Sequence, residues 1–205
     1  MSSSAPYGDV RHPYGLPMGT VRGFMSLLIC AFFWIFLMLP EGASGPPTAP
    51  LGHFFLLTLV FLAFASHQHP QATEGSDFLP WAIRLLFVFG SIAVVAYTAY
   101  AHADRLAVRL TPNAAEIGQW PVLLGTFSGG FAVGLLSRKL LGRHNNLFQT
   151  FRGWVGIIGV LLLIAETVFQ FAIRPSLAEA PSDAVMKVWE GVIIAFVAAY
   201  FGTRV

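Results

Sequence analysis

The stretch RGWVGIIGVLLLIAETVFQFAI, residues 152–173, is the clearest indication of how this chain folds. After its first residue, Arg152, it carries a single ionisable side chain, Glu166, among mostly apolar ones. As an α-helix it would be about 33 Å long, at about 1.5 Å per residue, and the hydrocarbon core of a bilayer is about 30 Å thick. We therefore predict a membrane-spanning helix here.

Five further apolar stretches are each about long enough to cross a bilayer. The chain is 56% hydrophobic and only 11% charged, against roughly 45–50% and 25% in soluble proteins, so lipid has to solvate its outer surface. The runs are continuous, whereas a β-barrel would show alternating segments of about ten residues. The sequence thus predicts an all-α integral membrane protein, a bundle of about six transmembrane helices at 22–39, 51–66, 79–101, 119–137, 152–173 and 187–203.

The six predicted spans fall into three consecutive pairs, and each pair opens on an arginine and closes on a small hydroxyl residue. The pairs are Arg22 with Ser66, Arg84 with Ser137, and Arg152 with Thr203. This pattern predicts three helical hairpins, possibly tandem repeats. The alternative explanation is that basic residues simply favour the cytoplasmic end of every hairpin. The first two spans are short, so a re-entrant hairpin would also fit them.

The predicted domain organisation is a flexible cytoplasmic N-terminal tail, residues 1–21, followed by one transmembrane bundle, residues 22–205. Pro6, Pro13 and Pro17 oppose regular structure in the tail. With a cytoplasmic N-terminus, eight of the twelve basic residues lie on the inside: Arg11, Arg22, Arg84, Arg138, Lys139, Arg143, Arg152 and Arg204. Because positive charge resists translocation, we expect both termini in the cytoplasm, and a location in a bacterial inner membrane.

Glycines mark the surfaces where helices are expected to pack closely. They recur three or four residues apart in the fourth and fifth spans, at Gly125, Gly129, Gly130, Gly134, Gly153 and Gly156. Such spacing gives a flat strip that lets another helix approach, and in lipid this packing drives association. The partner helix could belong to this chain or to another copy.

Ionisable and amide groups within the apolar zone are the candidates for function. Glu166 lies deep in the fifth span and Gln170 is one turn further on the same face, while Glu190, His53 and His102 lie at span ends. In the predicted topology all of them fall in the outer half of the membrane. Buried carboxylates of this kind face the bundle interior, as structural hydrogen-bonding groups or as parts of an ion path.

The cofactor and partner expectations follow from the same residues. No cofactor is predicted, although His53 and His102 could supply both axial ligands to a haem or chlorin. No metal site is predicted, because His67 and His69 lack a second short-spaced ligand pair. A net charge of +2 gives no indication of nucleic-acid binding. The expected partners are the lipid bilayer and other membrane subunits or further copies of the chain.

Two functions are compatible with this sequence. The first is a non-enzymatic membrane subunit with a structural or assembly role in a larger complex or homo-oligomer. The second is a small channel or transporter whose ion or proton path passes Glu166. No catalytic motif is present in the sequence, so an enzyme is the weaker interpretation.

Overall fold

A computed structural model of the chain describes residues 20–39, 48–65, 78–112, 117–142, 145–177 and 183–204. Every regular element in these ranges is helical: α1 Thr20–Met38, α2 Leu51–Ala65, α3 Phe78–Ala101, α4 Ala103–Leu110, α5 Trp120–Leu141, α6 Asn146–Val168 and α7 Asp183–Gly202. Helix α6 continues through a π-helical turn, Phe169–Ile173, and a 3-10 turn, Arg174–Ser176. Residues 1–19 of the predicted tail, as well as His67 and His69, lie outside the described residues.

Four of these helices are long and apolar enough to cross a membrane. They are α1, α5, α6 with its continuation to Ser176, and α7. A fifth span is possible if α3 and α4 count as one, but their axes are bent by 118° at His102. The protein is therefore a membrane protein with several spans, and this part of the prediction is confirmed.

The predicted arrangement of six spans in three hairpins is not confirmed. Helix α2 has 15 residues, about 22 Å at the α-helical rise, which is short of the hydrocarbon thickness. The packing also departs from the hairpin order among the described residues, because α3 lies mainly against α1, and α5 lies mainly against α7. The predicted second hairpin, 79–101 with 119–137, is therefore not a packed pair.

Local sequence explains where α5 ends and α6 begins. Gly142 has a φ of 76°, a backbone conformation that glycine adopts without steric cost, and its N–H donates to the Arg138 carbonyl at 3.2 Å. Asn145 then caps α6, since its side-chain oxygen accepts from the Leu147 N–H at 2.9 Å. The residue that ends α5 and the residue that caps α6 thus lie within four residues of each other in the sequence.

Side-chain contacts give the relative directions of the helices. Gly130 faces Ala195 and Gly134 faces Ala199, so α5 and α7 run parallel. Val21 lies against Gly156 and Met25 against Gly159, so α1 and α6 also run parallel. By the same reasoning α3 is parallel to α1, through the pairs Ile83 with Gly23 and Trp34 with Gly90, whereas α6 is antiparallel to α7, through Gly156 with Tyr200 and Glu166 with Trp189.

These directions define two ends of the bundle. At the arginine end α1, α3 and α6 begin and α5 and α7 finish, so the same end carries Arg22, Arg138, Arg152 and Arg204. At the glutamate end α1, α3 and α6 finish and α5 and α7 begin, and Glu190 lies there with Glu166 in the adjoining half of α6. The core between them is apolar, with residues such as Met25, Ile29, Leu59, Val197 and Tyr200 no more than 2% exposed.

Candidate functional site

Glu166 is the centre of a polar network between α6 and α7. The residue is 0% exposed, although it lies in an apolar span. One carboxylate oxygen accepts from the Gln170 amide, with 2.8 Å between Nε2 and Oε1. The other accepts from the indole N–H of Trp189 on α7. Both oxygens therefore have a donor, which is the condition under which a buried carboxyl group is tolerated.

Gln170 connects this carboxylate to a cation. Its side chain is also 0% exposed, and its own oxygen accepts from Nη1 of Arg174 at 2.9 Å. Glu166, Gln170 and Arg174 follow one another at intervals of four residues, so they lie along one face of the helix. The positive charge of Arg174 thus lies at the end of a hydrogen-bonded chain that begins at the buried carboxylate.

The backbone around Gln170 departs from the α-helix. Residues Phe169–Ile173 form a π-helical turn, and the 3-10 turn Arg174–Ser176 follows directly. A π-helical turn inside a helix is uncommon, and such turns occur frequently at functional sites. Here it carries the amide that joins Glu166 to Arg174, so the irregular backbone and the polar network coincide.

Glu190 and His53 lie beside this network at the junction of α2 and α7. A Cβ added at Gly52 would lie 2.8 Å from Oε2 of Glu190, so the carboxylate occupies the space that glycine leaves. The next residue, His53, is 2% exposed, and its Nδ1 has no hydrogen-bond partner. The crevice that both residues line between α2 and α7 is too narrow to hold a water molecule.

Phe32 separates the imidazole of His53 from the π-helical turn. Its ring is stacked on that of His53, with centroids 3.6 Å apart and planes inclined by 22°. The ring of Phe171, a residue of the π-helical turn, has its centroid 5.0 Å from that of Phe32. Four predicted candidates, Glu166, Gln170, Glu190 and His53, therefore fall in one region of the glutamate end.

The remaining candidate, His102, lies on none of the helices that carry the other four. It occupies the bend between α3 and α4, where its ring is 6.4 Å from that of Tyr97. Among the described residues no ring contact joins it to His53, and no group of three or more His, Cys, Asp or Glu could hold a metal ion. Ligation of a haem or chlorin by the two histidines stays a prediction.

Two members of the network were missed by sequence reasoning. They are Trp189 and Arg174. Arg174 could have been found, because it stands eight residues after Glu166 on the same helical face. Trp189 could not, since its contact depends on the antiparallel register of α6 and α7.

The predicted glycines divide into two sets on α5. A Cβ at Gly130 would lie 2.9 Å from the Ala195 Cα, and one at Gly134 would lie 2.9 Å from the Thr203 nitrogen, so both face the backbone of α7. In contrast, Gly125 and Gly129 have no atom within 4 Å of an added Cβ. On α6, Gly156 lies against the ring of Tyr200, and Gly153 is partly buried.

Arg109 makes a second polar contact at the glutamate end. Its Nη1 donates to the carbonyl oxygen of Phe36 and, at 3.3 Å, to that of Leu37, and its guanidinium lies 5.6 Å from the centroid of the Phe36 ring. These carbonyls belong to the last turn of α1, which has no intrahelical donors for them. Sequence reasoning did not identify this contact, which joins α4 to α1.

Comparison with protein-family models, curated proteins and solved structures finds no match to this chain.

Proposed function

We propose that this chain is a non-enzymatic integral membrane subunit that assembles with further copies of itself through the outer face of α5. The observation that carries the proposal is the division of the α5 glycines. One pair, Gly130 and Gly134, lies against the backbone of α7, and the other pair, Gly125 and Gly129, faces outward with nothing within 4 Å. Glycines four residues apart permit close helix contact in lipid.

The burial of α5 supports this choice of surface. Of its residues only Leu123 and Gly134 are buried, whereas about half of the residues in the apolar stretches of α1 and α7 are buried. Its outer face also carries exposed Val122 and Val133, 61% and 53% accessible. A second α5 packed on this face would cover the glycine pair and both valines.

We propose the inner membrane of a bacterium as the location, with the arginine end in the cytoplasm. The support is the distribution of charge, because Arg22, Arg138, Lys139, Arg152 and Arg204 all lie at that end of the described helices. Basic residues are retained on the cytoplasmic side during insertion.

Two adjacent substitutions test assembly separately from folding. Gly129→Leu should leave the monomer folded but shift the detergent-solubilised protein to a smaller mass in native mass spectrometry. Gly130→Leu should instead lower the thermal unfolding temperature, because its side chain would meet the backbone of α7 at Ala195. An oligomer of unchanged mass in the Gly129→Leu protein would refute assembly through this face. Co-purification of a different membrane protein would show that the partner is that protein and not a second copy of this chain.

A path for ions or protons past Glu166 is the second candidate function. The observation in its favour is a carboxylate with no exposed surface that connects through Gln170 to Arg174 near the glutamate end. Flux measurements on proteoliposomes that contain the wild-type protein or Glu166→Gln test it. Conductance by the wild type that is lost in a correctly assembled variant would favour this function over the first.

A further inference from the structure

His53 is a buried histidine with an unused ring nitrogen. Its side chain is 2% exposed, and its Nδ1 has no hydrogen-bond partner. The imidazole is stacked on Phe32 of α1, and the ring of Phe33 meets it edge-on, with centroids 6.2 Å apart. A ring nitrogen is a donor or an acceptor in every protonation state, and a buried polar atom of this kind normally has a partner. The fold thus holds an ionisable group where its Nδ1 is left unpaired.

The crevice beside His53 is closed by apolar contacts between α2 and α7. Leu56 of α2 and Ile193 and Ile194 of α7 line it, and each is 1% exposed. A Cβ added at Gly52 would lie 3.3 Å from Cδ1 of Ile194, so the two helices are in close contact here. The crevice has no room for a water molecule. A protonated imidazole would therefore have an unpaired Nδ1–H and little solvation, so the closed crevice favours the neutral form.

The charged groups around the crevice include both signs. Helix α7 contributes Glu190, which lines the crevice, and Lys187, one turn before it, while α1 contributes the buried thiol of Cys30. The remaining charged side chains that the structure describes on α1, α5 and α7 lie at the arginine end: Arg22, Arg138, Lys139 and Arg204. The elements that contact Phe32 and Phe36 carry Glu166, Arg174 and Arg109. Because Glu190 and Lys187 have opposite charges, desolvation outweighs their combined effect on the imidazole.

We propose that His53 is a proton-binding site whose protonation releases the first turns of α2 from α7. Opening of the crevice exposes the imidazole to water, where it binds a proton more readily than in the closed crevice. The open state therefore holds more protons than the closed state, and opening becomes easier as the pH falls. The effect begins below about pH 6.5, the ordinary pKa of an exposed histidine. This response to acidity at the glutamate end is independent of assembly through α5.

Hydrogen–deuterium exchange of the full chain in detergent tests the proposal, because exchange of backbone amides reports local opening. The rates are corrected for the intrinsic pH dependence of exchange. Protection of the amides of residues 53–58 should then fall about tenfold between about pH 7.5 and 5.5, as expected for one proton bound below about pH 6.5. In His53→Phe the same amides should stay protected, because a phenyl ring can stack on Phe32 but cannot bind a proton.

His102→Phe is the matched control, since it removes a histidine that belongs to neither α2 nor α7 and should leave the tenfold fall in place. An equal fall in the wild type and in His53→Phe, or no fall in the wild type, would overturn the proposal. A rise in protection at low pH would also overturn it, because Glu190 would then hold the protonated imidazole inside the crevice. A parallel loss of protection in α6 would contradict a local release. If His53→Phe does not fold, His53→Gln provides the same comparison.

Discussion

A buried carboxylate in an apolar span is stable only when its oxygens have donors, and Glu166 obtains them from two different helices. Gln170 belongs to the same helix, whereas Trp189 comes from α7. The carboxylate thus joins α6 to α7 by a directional contact within an otherwise apolar interface. A glutamine side chain at this position has one oxygen and cannot serve both donors equally well.

Glu166→Gln should therefore preserve assembly but reduce stability by about 1 kcal/mol, the range measured for single hydrogen bonds between membrane helices. Glu166→Leu should cost roughly 2 kcal/mol, because the Trp189 and Gln170 donors would both be left unpaired. Denaturant-induced unfolding in mixed micelles measures the difference. Thr167→Val is a suitable control, since the Thr167 hydroxyl, in the part of the chain that the structure describes, donates to the Leu163 carbonyl of its own helix at 2.8 Å. Equal stability of the two Glu166 variants would contradict the assignment of both donors.

The sequence predicted part of this site for a clear reason. Gln170 was identified because a separation of four residues in a helix determines that two side chains share a face. Trp189 and the crevice beside His53 depend on how separate helices pack, which no local pattern records. The proximity of Glu190 to Gly52 was equally inaccessible, since it depends on the register of α2 against α7.

At the scale of helices, the bend between α3 and α4 is the main departure from expectation. Helix α4 turns 118° away from α3, and Arg109 near its end donates to the last carbonyls of α1. The backbone N–H of Ala49 in turn donates to the Arg109 carbonyl at 3.0 Å. One residue thus connects α4, the end of α1 and the segment that precedes α2.

Arg109→Gln should destabilise the protein by about 1–2 kcal/mol, because the carbonyls at the end of α1 lose a cationic donor. The measurement is again unfolding in mixed micelles. Asp104→Asn is the control: Asp104 is exposed on the same short helix, and its change should have little effect. If both variants were as stable as the wild type, the contact would contribute nothing to the fold.

The positions of the long helices were predictable to within a few residues, since long apolar runs leave few alternatives. The predicted fourth span, 119–137, corresponds to α5 at Trp120–Leu141, and the predicted sixth, 187–203, to α7 at Asp183–Gly202. Which face of α5 packs against α7 was not predictable. Gly125 with Gly129 and Gly130 with Gly134 have identical spacing, and only tertiary packing determines which pair meets α7.

At the scale of the molecule, the two ends differ in charge, and this predicts the orientation in the membrane. We expect the arginine end in the cytoplasm, so a cysteine introduced at exposed Leu147 should not react with an impermeant maleimide added to intact cells. A cysteine at exposed Val108 near the glutamate end should react. The native Cys30 is buried, so the protein without an introduced cysteine gives the background labelling. The reverse labelling pattern would show that the arginine end faces outward.

The close contact of α5 with α7 has a consequence for how the protein is made. A ribosome delivers α5 before α6 and α6 before α7, so the surface of Gly130 and Gly134 enters the bilayer before the helix that covers it exists. Trp189, which completes the hydrogen bonding of Glu166, also arrives only with α7. Native packing of this half of the bundle is thus a late event of translation. A nascent chain stalled before Asp183 would offer both surfaces to membrane chaperones and proteases.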